Sequence, residues 1–158
     1  MYKTDVYPYP DYLQEQVIDK LRKAAVNELV TCALYRLLEA THPRNLSKKL
    51  RSLAHTAHQE DWSHYQTLLS CLGRIQPDHS PSSLVDTQLI MPPKADSSTL
   101  LLGQIKQAEQ ASIDYQQEIC ALTLEYDYKI FDHSYALLNE NIEHNERVQE
   151  CLQEGTVQ

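Results

Sequence analysis

Four long stretches of the chain place apolar residues in steps of three and four, the spacing that gathers side chains on one face of an α-helix. Leu46, Leu50, Leu53, Ala57, Leu68 and Leu72 make one such stripe. Val17, Leu21, Ala24, Cys32 (or Thr31), Tyr35 and Leu38 make another upstream of it. A third runs through Leu102, Ile105, Ile113 and Ile119, and a fourth through Ile130, Leu137, Val148 and Cys151. Prolines fall at positions 8, 10, 43, 77, 81, 92 and 93 and leave long runs free of them. A proline inside a helix costs about 3 kcal/mol, so the proline-free runs are the helix candidates. The pattern predicts a helix over 11–41 with Asp11 as its cap, and a second over 45–72 ended by Gly73. A third starts near Asp96 or Ser97 and meets a fourth around 125–128, which ends near Glu154.

The short turn His42-Pro43-Arg44 makes the first two helices antiparallel neighbours. The stretch 73–95 holds four prolines and two aspartates and is long for a loop in a small domain. A helix of about 28 residues spans roughly 40 Å, a distance some 23 extended residues can cover. The third helix can therefore run parallel to the second. The expected fold is all-α, an antiparallel four-helix bundle (11–154) with one long crossover, the connectivity of ferritin-like folds. A Tyr/Pro segment (1–10) precedes it, readable as a strap or a partly ordered arm, and a short tail (155–158) follows.

Composition narrows the classes. At 158 residues, 42% hydrophobic and 23% charged, the chain suits one globular domain. Three glycines are too few for a many-stranded β protein. A net charge of −8 disfavours phosphate backbones, so no nucleic-acid partner is expected. No run of about 18 apolar residues exists for a membrane span, and the N-terminus lacks the apolar core of a signal peptide. The four cysteines are dispersed and read as reduced core thiols of a cytoplasmic protein.

Polar residues interrupt all four stripes. Asp61 and His64 fall on the second, Glu28 on the first and Glu109 on the third. Asn141 and His144 fall on the fourth, with Glu140 at its margin. Burying unpaired carboxylates costs several kcal/mol each, a cost that a bound cation offsets. Carboxylates with imidazoles suit iron, manganese or zinc better than calcium. One acid from each of two helices plus acid-x-x-His from the others is the pattern of a carboxylate-bridged dinuclear site.

Three segments carry a resemblance to bacterioferritins: Asn27-Glu28-Leu29 with Tyr35, Glu60-Asp61-Trp62-Ser63-His64, and Ala108-Glu109-Gln110. Leu137 to His144, followed by Val148 and Leu152, resembles their last helix. The resemblance covers about 11–154. It implies iron ligands at Glu28, Glu109, His64 and His144, a bridging carboxylate at Asp61, and Tyr35 hydrogen-bonding beside them. Glu28, Asp61, Glu109 and Tyr35 are then the groups expected to serve oxidation of Fe(II) by dioxygen or peroxide, for iron storage or detoxification. Two positions depart from the family. Asp61 stands where it has Glu, and Asn141 stands where it has a helix-D Glu. Two divalent ions bring +4, while Glu28, Asp61 and Glu109 bring only −3. The second ion is thus expected to bind more weakly unless Glu140, or less favourably Glu143, turns in. Trp62 stands at the haem-ligating Met position, so no Met-ligated haem is expected. The absence of a fifth helix after His144 resembles the Dps-like ferritins, which form shells, so a homo-oligomer is expected. Lys3 is the sole base before Lys20, unlike the Lys-rich tail with which some of those bind DNA.

Two other readings remain. One is a diiron oxidase or oxygenase acting on peroxide or an organic substrate. The other is a metal-poor bundle with a structural role. His55 and His58 read by default as rim histidines, with an accessory metal site as the alternative. Tyr35, Tyr115 and Tyr128 are candidates for the interior, and Cys120 and Cys151 for neighbours that stay unbridged.

Overall fold

A computed structural model describes residues 10–41, 47–75 and 98–154. They form α1 (Asp11–Thr41), α2 (Lys48–Ile75), α3 (Ser98–Thr123) and α4 (Tyr128–Glu154). The expected bounds of α1 and the end of α4 are met, but the cap of α1 is not Asp11. The Pro10 carbonyl accepts from the Leu13 and Gln14 amides at 2.9 and 3.0 Å, so Pro10 holds the cap position. Asp11 instead puts negative charge in the first turn.

Helix α2 starts and ends three residues later than the expected 45–72. Ser47 Oγ accepts from the Leu50 amide at 3.1 Å, so the helix starts where a serine can cap it. Gly73 does not end it. The helix runs on through Arg74, whose Nε reaches the buried Asp127 carboxylate at 3.3–3.4 Å. The same Asp127 caps α4, accepting from the Ile130 amide at 3.3 Å. Leu46, Asp96, Ser97, most of the expected crossover, the Tyr/Pro segment through Tyr9 and the tail lie outside the described residues.

Two apolar clusters reveal the topology. One joins Val17 and Leu21 at the start of α1 to Leu68 and Leu72 at the end of α2, with Ile119 late in α3 and Ile130 early in α4. The other joins Leu34 and Leu38, Leu50 and Leu53, Leu101 and Ile105, and Val148 and Cys151. Opposite ends of α1 and α2 meet, as do those of α3 and α4, so each pair is antiparallel. The ends of α2 and α3 share a cluster, so these two helices are parallel, as one long crossover requires.

Tyr35 is fully buried, Tyr115 packs at the edge of the first cluster, and Tyr128 is 51% exposed rather than interior. Cys120 and Cys151 are not neighbours. Cys151 packs with Val148 and Leu101 in one cluster, while Cys120 lies by Ser134 towards the other end of α4. All four thiols are free. Among the described residues, no helix is long and apolar enough to cross a membrane.

Asp127 both caps α4 and faces Arg74, whereas Ser47 only caps. Asp127→Ala is expected to cost about 2 kcal/mol and Ser47→Ala about 1 kcal/mol in urea unfolding. Equal losses would show that the Arg74 contact adds nothing.

Candidate metal centre

A polar layer lies between the two apolar clusters. Glu28, Asp61, Glu109 and Asn141 are fully withdrawn from solvent, and His64 and His144 nearly so. Each sits on its helix's apolar stripe, so the packing that buries the leucines on either side carries these groups inward as well.

The layer has two halves. Glu28 Oε1 lies 2.7 Å from His64 Nδ1, and Asp61 Oδ1 lies 3.6 Å from the same nitrogen. On the other side His144 Nδ1 lies 3.1 Å from Glu109 Oε2 and 3.3 Å from Asp61 Oδ1. Glu28, Asp61 and His64 form one compact trio of donor atoms, and Asp61, Glu109 and His144 another. Asp61 belongs to both. The imidazoles lie nearly parallel, 6.0 Å apart. Tyr35 donates its hydroxyl to Glu109 Oε2 at 2.7 Å and meets the His144 ring edge-on. Yet both Asp61 oxygens, Glu109 Oε1 and Asn141 Oδ1 are buried with no hydrogen-bond partner. Unpaired carboxylate oxygens at full burial are costly, and a cation is the group that would complete them.

The groups flanking this layer explain how it is held. Glu140, half exposed, lies with Oε1 2.7 Å from His64 Nε2, on the outer side of the ring. Glu60 stands in the same relation to His144, with Oε1 2.5 Å from its Nε2. Both imidazoles thus have Nδ1 inward and the other nitrogen on a rim carboxylate, the arrangement that fixes a ligand histidine's tautomer and orientation. Glu140 therefore does not complete the inner carboxylate set. Asn141 takes the inner position, its amide donating to Glu28 Oε2 at 3.0 Å. Ser112 donates to the same oxygen at 2.7 Å and is itself contacted by Asn27 at 2.6 Å.

Glu60, Ser112 and Asn27 were not expected as site residues. A signal for Glu60 was present. Glu60-Asp61-x-x-His64 on α2 and Glu140-Asn141-x-x-His144 on α4 are near-copies, and each rim glutamate reaches across to the other helix's histidine. Ser112 follows Glu109 by three residues on the same face.

Protonation follows from this crowding. Burial and the charges of Glu109 and Glu28 push the Asp61 carboxyl up to about 8. Burial also raises Glu109, against the opposing pull of His144. For His64 burial works against the charge, but the contacts with Glu28 and Glu140 prevail and push it up to about 9. Asp61 and Glu109 likewise overcome burial at His144 and carry it to about 12. Burial and the charges of Glu109 and Asp61 hold the Tyr35 phenol well above its ordinary value, so it stays a donor. Without metal, protons on the two imidazoles and on the Asp61 carboxyl offset the crowded negative charge.

No family model matches the chain. It is 26% identical over 144 residues to the DNA protection during starvation protein of Pyrococcus furiosus, a match spanning 87% of this chain and 77% of that protein. Its structure matches the bacterioferritin-related protein of Bacteroides fragilis, described as a dodecameric thioferritin, with a TM-score of 0.75 and 23% identity. That match covers 89% of this chain and 86% of the other. The chain has the ferritin-like four-helix fold. Its likenesses are to a DNA-protection protein by sequence and to a bacterioferritin-related protein by structure.

The raised groups all act in one direction on stability. Asp61 keeps a proton that the unfolded chain loses near pH 4, up to about 8, and His64 keeps one from about 6.5 up to about 9. His144 keeps its own up to about 12. Stability present at low pH is therefore lost as pH rises. Each retained proton is worth about 1.4 kcal/mol per pH unit, or about 3 °C in Tm for a domain of this size. Melts of chelator-treated protein from pH 6 to 9 should fall accordingly, and saturating Mn(II) should flatten the trend. A metal-free Tm that rises across this range would contradict the protonation scheme.

Proposed function

We propose that the chain is a ferritin-like iron-handling protein that takes up Fe(II) as substrate in the buried layer and oxidises it with dioxygen or peroxide, in iron storage or detoxification. The observation that carries this reading is the pair of buried oxygens, Asp61 Oδ2 and Glu109 Oε1, that have no hydrogen-bond partner. The donor set supports it further: carboxylates and imidazoles in two trios that share one carboxylate.

In this reading Glu28 and His64 hold one iron, Glu109 and His144 hold the other, and Asp61 bridges them. Each Fe(II) gives up one electron. Dioxygen takes the pair with two protons to give hydrogen peroxide, or hydrogen peroxide takes it with two protons to give two waters. Glu140 and Glu60 keep each ring turned so that its Nδ1 faces inward once the proton leaves. Tyr35 orients Glu109, and the leucines above and below exclude bulk water.

The two halves are unequal. Asn141 donates to Glu28 where a carboxylate would add charge, so Glu28 and His64 hold the weaker ion. The dodecameric state described for the Bacteroides fragilis protein supports a homo-oligomer here too. The net charge of −8 favours protection through removal of iron and peroxide over contact with a phosphate backbone. The four free thiols fit a reducing compartment such as the cytoplasm.

Anaerobic Fe(II) titration should resolve one tight and one weaker equivalent per chain. Asn141→Glu should tighten the weaker one at least tenfold and speed the oxygen-dependent rise of the diferric absorption band. Asp61→Ala should abolish that band. Two equally tight equivalents in the unaltered protein would defeat the proposed inequality, and full oxidation by the Asp61 variant would defeat the site.

A further inference from the structure

A second group of donor atoms lies outside the buried layer, towards the end of α1 and the first half of α2. His55 and His58, three residues apart, share one face of α2. Glu39 reaches them from α1. Its Oε2 lies 3.7 Å from His55 Nδ1 and its Oε1 3.7 Å from His58 Nε2. The rings meet edge to face, 5.7 Å between centroids.

These distances exceed a hydrogen bond. They approach the spacing set by a shared ion: two donors bound at about 2.05 Å in tetrahedral geometry stand about 3.3 Å apart. One donor atom from each of the three residues falls within 4.8 Å of the others. Closing the remaining gap needs only small rotations of side chains 64%, 30% and 22% exposed at His55, Glu39 and His58. A cavity of about 320 Å³, lined by Cys32, Arg36, His58, Gln59 and Trp62, opens beside His58. The Cys32 thiol is directed at the His58 carbonyl at 3.3 Å and is not a fourth donor.

We propose that Glu39, His55 and His58 form a second, solvent-open site for a borderline divalent transition ion, of the zinc or Fe(II) kind. Two neutral imidazoles and one carboxylate select such ions over calcium or magnesium, which prefer all-oxygen sites. The site is separate from the buried layer: Glu39 is eleven residues beyond Glu28, about 16 Å along α1. It shares no residue with that layer and stands whether or not the interior takes iron. With three protein donors and the remaining positions open to water, its ion exchanges faster than one enclosed between the apolar clusters.

Zinc binding to the full-length protein, measured by isothermal titration calorimetry, tests this. The unaltered protein is expected to bind one more Zn(II) per chain than His55→Ala/His58→Ala. Glu39→Gln should weaken that equivalent at least tenfold and leave the others in place. Asp61→Asn should retain it, which separates this site from the interior one. His55→Ala alone, at the most exposed position of the three, should also weaken it and guards against a folding defect in the double variant. Equal zinc stoichiometry and affinity in the unaltered protein and both histidine variants would overturn the proposal. Loss of all zinc binding in Asp61→Asn would do the same.

Discussion

Three carboxylates taken out of water within one bundle set the terms for the rest of the molecule. Glu28, Asp61 and Glu109 have no exposed surface, and apolar clusters close over them from both ends. Like charges in that setting are tolerable only with positive charge among them. Two imidazoliums can supply it, and so can metal. Both histidines therefore lie inside contact distance of the acids, and Tyr35, Ser112 and Asn141 spend their hydrogen atoms on Glu109 and Glu28. Apolar residues at buried ionic positions often give equal or greater stability, so packing alone does not call for this layer.

The departure at Asn141 gives the layer its asymmetry. Helices α2 and α4 present five-residue segments that share their first Glu and last His, and the rim glutamates cross over symmetrically. At the centre the symmetry fails: α2 brings a carboxylate that faces both histidines without a hydrogen bond, and α4 brings an amide committed to Glu28. One residue thus helps leave Glu28 with donors on both oxygens, while Glu109 keeps Oε1 without a partner.

Much of this was legible in the chain itself. Periodicity located four helices, and the polar residues breaking their stripes are those found buried: Glu28, Asp61, His64, Glu109, Asn141 and His144. A stripe states which side of a helix faces inward, and that suffices for groups on the stripe. It does not say where a side chain at the margin turns. Glu140, at the margin of its stripe, reads as a group that can turn inward, and instead it reaches the far side of the His64 ring. Glu60, adjoining Asp61 in the motif itself, was passed over for the same reason. Helix ends were misplaced where a local signal competed with a longer-range contact. Gly73 suits a terminus, but Arg74 continues the helix to reach Asp127. The Glu39, His55 and His58 group needs the register of α1 against α2, which no spacing within either helix encodes.

The crossed rim pairs carry a consequence for hydrogen-ion traffic. A protonated imidazole whose inner nitrogen gives way to a cation must release a proton, and apolar clusters close the layer from both ends. Glu60 and Glu140 each touch a ring on one side and solvent on the other, with 39% and 50% of their side chains exposed. They would offer such a proton a short way out, one per half. Filling the centre would acidify the medium on the flank where these glutamates emerge.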